Sequence, residues 1–129
     1  MNDMRTFARA NLDPSGRRLQ RVLQQTHESR KPAGRADMSI GMGWHILRLN
    51  GHDVVWHNGG TGGYRTWMGF DKARKVAAIV LTNAGGAGND DLGFELARGL
   101  RSSRGRPSSR PAHRTSRIAH RASLRRVRA

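Results

Sequence analysis

Near Ile40 the spacing of the apolar residues changes from that of a helix to that of a strand, and this change sets the fold class. Before it, Met4, Phe7, Ala8 and Leu12 recur at helical spacing, as do Leu19, Val22, Leu23 and Thr26. The first thirty residues therefore read as two amphipathic helices broken around Asp13-Pro14. Lys31 to Asp37, with Pro32 and Gly34, reads as a loop. After the change, Met42, Trp44 and Ile46 share one face of a strand, and Asn50-Gly51 predicts a tight hairpin into a second strand, Asp53 to His57. Tyr64 to Phe70 and Lys75 to Thr82 are rich in aromatic and β-branched residues and are separated by a turn at Asp71-Lys72-Ala73-Arg74. The expectation is an α+β fold with an antiparallel sheet of three to four strands.

Asn83 to Gly88 is a glycine-rich connector. After it, Asn89 or Asp90 is placed to cap a helix whose Leu92, Leu96, Ala97 and Leu100 form one apolar stripe that packs on the sheet. Beyond Arg101 few large apolar residues remain, and the predicted reading is a disordered basic tail over 101–129, after a folded unit over 1–100. Charge divides at the same place: residues 1 to 100 hold 14 Lys+Arg against 9 Asp+Glu, whereas 101–129 hold 10 Arg and no acid. The strongly basic balance belongs mostly to the tail.

A chain of 129 residues makes one small domain. With no cysteine it has no disulfide framework, thiolate metal site or cysteine nucleophile, and this leaves the compartment undetermined. Met1 to Leu12 lacks the continuous apolar core of a secretory signal, and no run is long enough to span a bilayer.

The stretch that carries chemistry is Trp56-His57-Asn58-Gly59-Gly60-Thr61-Gly62-Gly63-Tyr64, where four glycines interrupt strand-like sequence. Glycine inside a strand marks a bulge or a place where a ligand or another backbone comes close, and a ligand that close can meet backbone N–H groups suited to an oxyanion. A plain glycine-rich turn between two strands is the other reading of the same residues. A phosphate-binding loop fails for want of its Gly-Lys-Ser/Thr end, and the dinucleotide fingerprint fails because Arg65 stands where its third glycine belongs. Zinc ligation by His45, His52 and His57 lacks helical spacing and a fourth ligand. His45 and His52 read as exposed strand or turn residues, and no metal or cofactor is implied.

These residues resemble the third motif of the serine β-lactamase and penicillin-binding-protein superfamily, in particular the branch of class C β-lactamases, D-amino-acid-releasing peptidases and esterases. That motif is Lys-Thr-Gly or a His-x-Gly variant, followed by Thr-Gly-Gly-aromatic. Here His57, Asn58 and Gly59 fill it and Thr61-Gly62-Gly63-Tyr64 continues it. Asp3-Met4 with Phe7, Gly43-Trp44, and Gly69-Phe70-Asp71 to Leu81-Thr82-Asn83 are similar to flanking family features in one register over residues 1 to about 100. The resemblance implies a part of a β-lactamase/transpeptidase-like fold. It implies that His57 lines a cleft, where it fixes a substrate carboxylate or tunes proton transfer, and that the Gly60 N–H is one of two oxyanion donors. The implied partner is a small-molecule or peptide acyl substrate. Asn58 departs from the commoner threonine.

The family's nucleophile motif, Ser-x-x-Lys, supplies an attacking hydroxyl beside an amine, and its second motif, Tyr-x-Asn, supplies an acid-base partner. None of the nine serines is followed three residues later by lysine, and the one tyrosine, Tyr64, lies in the third-motif segment. The chain thus reads as a C-terminal piece of such a hydrolase, inactive alone, whose missing N-terminal half carries the serine. The alternative from another class is nonspecific nucleic-acid binding, in which the tail's arginines neutralise phosphates.

Overall fold

The computed structural model describes residues 2–13, 18–85 and 88–98, and the backbone of 122–128. Helices α1 (Asn2–Leu12) and α2 (Arg18–Thr26) come first. Six strands follow: β1 (Lys31–Pro32), β2 (Met38–Ile40), β3 (His45–Leu49), β4 (His52–Thr61), β5 (Tyr64–Asp71) and β6 (Val76–Thr82). Helix α3 (Asn89–Ala97) and a further strand, β7 (Ala122–Arg128), complete the described elements. The fold is α+β, and every strand pairs antiparallel with its neighbours in sequence order.

The sheet is wider than the three to four strands expected. The single strand predicted across Met42, Trp44 and Ile46 is a hairpin instead, with β2 and β3 joined through Gly41–Trp44. Glycine decides this locally: Gly43 sits at φ 74°, and a side chain at Gly41 would run into the Thr26 carbonyl. Pro32, read as loop, lies in a two-residue edge strand opposite Ser39, where a missing N–H costs no ladder bond on the solvent side. β7 falls within the tail expected to be disordered, and for 122–128 that expectation is corrected. Composition weighs side-chain burial, whereas an unpaired edge of β6 offers backbone bonds to any extended segment. The remainder of the predicted tail, 101–121, lies outside the described residues, as does Leu100 of the expected α3 stripe.

Each sheet face carries its own core. On one, Ala8 and Leu12 of α1 pack with Ile46, Val55, Met68, Phe70, Ala77 and Ile79; on the other, Leu96 and Ala97 of α3 pack with Val54, Trp67, Ala78 and Val80. Alternation along each strand produces the two sets, since successive side chains point to opposite faces. Trp67 is 1% exposed, and its indole occupies space that only glycine leaves free: a Cβ at Gly69 or Gly93 would overlap the ring. α3 therefore carries a glycine in its interior, which costs helix stability and is offset by the aromatic contacts of Trp67 with Trp56 and Phe94. The N-cap position of α3 is Gly88 at φ 111°, with no side-chain cap, so neither Asn89 nor Asp90 caps the helix as expected.

The layer of α1 and α2 is fastened by a buried polar pin. Asn11 Nδ2 donates to the Phe7 carbonyl (2.8 Å), which leaves Asn11 Oδ1 to accept from His27 Nε2 at 2.8 Å, and Gln24 Nε2 donates to the Asn11 carbonyl. The His27 ring meets Trp44 and Phe70 edge-on. Burial, with Lys72 as a further positive neighbour, lowers the His27 pKa to about 4, so the pin is neutral at ordinary pH.

Candidate active site

The glycine-rich stretch divides into strand and turn. His57, Asn58, Gly59 and Gly60 belong to β4, whereas Gly62 and Gly63, both at positive φ, form the two-residue turn into β5. The plain-turn reading thus holds for Gly62 and Gly63, whereas Gly59 and Gly60 lie in the strand beside that turn.

Register fixes where the backbone of this segment points. The Arg48 N–H bonds to the Asp37 carbonyl on the β2 side of β3. His45, Leu47 and Leu49 must then turn their N–H and C=O groups toward β4, opposite Trp56, Val54 and His52. Backbone groups alternate along a strand, so the even-numbered residues of β4 face β3 and the odd-numbered residues face β5. The 61 to 64 closure of the two-residue turn agrees, since it requires Thr61 to bond toward β5. β3 begins at His45, opposite Trp56, so the backbone groups of Asn58 and Gly60 project beyond its end along an edge that no described strand covers.

The side chains diverge from that edge. His57 is exposed and lies on the sheet face that carries α1, paired with Met68. Asn58 points to the opposite face and donates from Nδ2 to Asp90 Oδ2 of α3 at 2.7 Å. At Gly59 and Gly60 the space a side chain would take is crowded by Thr66 Oγ1 and by the Arg65 side chain, so the cross-strand neighbours lean over both glycines. Gly60, Thr61, Tyr64 and Arg65 line a cavity of about 380 Å³ that Gly85 also borders.

Three residues that the sequence reading did not assign to the site stand in it. His45 stacks on His57 with ring centroids 5.5 Å apart and also packs 4.9 Å from Trp56, so it walls the start of the uncovered edge. Asp90 is the partner of Asn58, and Arg65 brings a guanidinium to the cavity shared with Gly60. The sequence marks His45 only as a weighed zinc ligand or exposed strand residue and Asp90 only as a helix cap; the available signal for His45 was its place opposite Trp56 in the hairpin register. His52 opens β4 at its far end, so the three histidines weighed as zinc ligands do not converge, and no group of three or more His, Cys, Asp or Glu suited to a metal occurs among the described residues. Among those residues no helix is long and apolar enough to cross a membrane.

Backbone N–H groups that face outward along a strand edge can meet an oxygen that gains negative charge in acyl transfer. The family model described as Beta-lactamase matches residues 1–100. The chain belongs to the beta-lactamase family. Comparisons with curated proteins and with solved structures returned no match. The family match ends where the described part of α3 has closed over the sheet, so it covers both helical layers and β1 to β6 and leaves β7 outside.

Proposed function

We propose that this chain supplies the third-motif strand of a beta-lactamase-family serine hydrolase and is inactive by itself. The observation that carries the reading is the uncovered edge of β4 at Asn58 and Gly60. In this proposal the Gly60 N–H donates to the oxyanion that forms when a serine attacks an acyl carbonyl, and the second donor is the amide of that serine. His57 lines the cleft, close enough to the reacting centre to bind an acidic substrate group or to adjust proton transfer. The reaction is acyl-serine hydrolysis of an amide, β-lactam or ester.

The attacking serine and its lysine come from another polypeptide segment, because the 129 residues contain no Ser-x-x-Lys. Asn58, which stands where the resembled motif more commonly has threonine, is engaged with Asp90 on the α3 side and holds the strand there. The test is direct. Incubated with nitrocefin or a p-nitrophenyl ester, the purified chain is expected to give no turnover above buffer, and a fluorophosphonate probe is expected to leave it unlabelled. Turnover together with labelling of one of its own serines would overturn the proposal.

A further inference from the structure

A second concave surface lies at the other end of β4, about 20 Å along the strand from Gly60 at roughly 3.3 Å per residue. It has a volume of about 560 Å³, within the range of small-molecule sites, and is floored by His27 and Ile46. Four cations line it, Arg30, Lys31, Arg35 and Arg48, against two acids, Asp37 and Asp53. Both acids are already engaged. Arg35 grips Asp37 through two hydrogen bonds, 2.9 and 2.6 Å, and Arg48 holds Asp53 at 3.0 Å. Neither ion pair involves Arg30 or Lys31, so the cavity keeps two positive charges in excess.

The walls are held by backbone hydrogen bonds. The loop between β1 and β2 is tied across itself by the Ala33 N–H to the Met38 carbonyl, and to β3 by the Arg48 N–H to the Asp37 carbonyl at 2.7 Å. Such a surface needs little ordering when a ligand binds. Met38 and Ile46 add apolar lining beside the cations, and the neutral His27 ring adds no charge of its own. A purely electrostatic surface has no use for that apolar floor, whereas a small organic anion meets both features.

We infer that this cavity binds a small organic dianion, its charge held by Arg30 and Lys31 and its apolar body resting on Met38 and Ile46. The site is distinct from the uncovered edge of β4 and does not depend on the hydrolase reading. Residue-resolved amide shifts of the full chain, titrated with phenyl phosphate, test it. The arginine-rich tail also attracts anions, so the location of the shifts and the controls decide the result. Saturable shifts at residues 29–39, 46 and 48 are expected. Binding of inorganic phosphate should be weaker, and phenol should produce no saturation. The R30A/K31A variant replaces two exposed side chains, so its spectrum elsewhere should be unchanged while affinity falls about tenfold or more, as loss of a charge-assisted contact implies. Equal responses to phosphate and phenyl phosphate, unmoved by R30A/K31A, would show nonspecific ion pairing and overturn the inference. So would the absence of saturation at these residues.

Discussion

A methyl group added at Gly93 would enter the ring of Trp67, which is buried between this glycine and Gly69. Because the obstacle is a wedged indole and not the free end of a flexible chain, G93A is expected to destabilise by about 3 kcal/mol, despite alanine's better helix propensity, as urea denaturation will show. The sequence offered no warning of this, since a lone glycine in a helix and a lone glycine in a strand are each unremarkable until register brings both against one tryptophan. His27 makes a second prediction at this scale. Its pKa is lowered to about 4 in the fold against an ordinary value of 6.5, so between those values the unfolded chain binds the extra proton. Stability should be full above pH 6.5 and decline as pH falls toward 4, and in H27Q the slope of stability against pH should flatten in that window. No pattern marked His27 beforehand, because it follows α2 and its partner Asn11 lies 16 residues away on α1.

The elements show how far periodicity reaches. The two N-terminal helices, the Asn50-Gly51 hairpin and the pairing of the strands read as Tyr64 to Phe70 and Lys75 to Thr82 were legible, with ends one residue off, because each rests on local spacing or on turn residues. β1 and β2 were not: their two and three residues are too short to show a period, and backbone pairing of β1 with β2 and of β2 with β3 defines them. In the candidate site, the sequence set His57 to Gly60 apart as a place where glycines interrupt a strand, but the direction of each side chain was not legible, because it depends on the register with β3 and β5. The bond from Asn58 to Asp90 now ties that strand to α3. Hydrogen bonds to charged groups contribute about 1.5–3 kcal/mol, so D90A should lower stability toward the smaller figure at this part-buried position. Hydrogen exchange should then quicken at His57 and Gly59 more than at the β3–β4 hairpin. Equal protection in D90A and the parent chain would show that the bond does not restrain the strand.

In the whole molecule, the two helical layers leave little of the sheet's apolar surface wet. Among the described residues α1 and α3 cover opposite faces, and the exposed large apolar residues are Phe7, Leu19, Val22, Met42 and Tyr64, away from the buried strand centres. Charge gave no hint of β7, which joins the sheet through a backbone ladder along β6. A chain ending after Arg98 should therefore expose the β6 edge and self-associate more than the full chain, as light scattering at matched concentration will reveal.

Amide hydrogen exchange along β4 is the most direct measure of whether this strand offers outward donors next to the histidine. The Asn58 and Gly60 N–H groups should exchange quickly, and those of His57, Gly59 and Thr61, which face β5, should be protected. Protection of Gly60 with rapid exchange at Gly59 would mean that the strand turns its donors the other way, and the proposed oxyanion contact would have no physical basis.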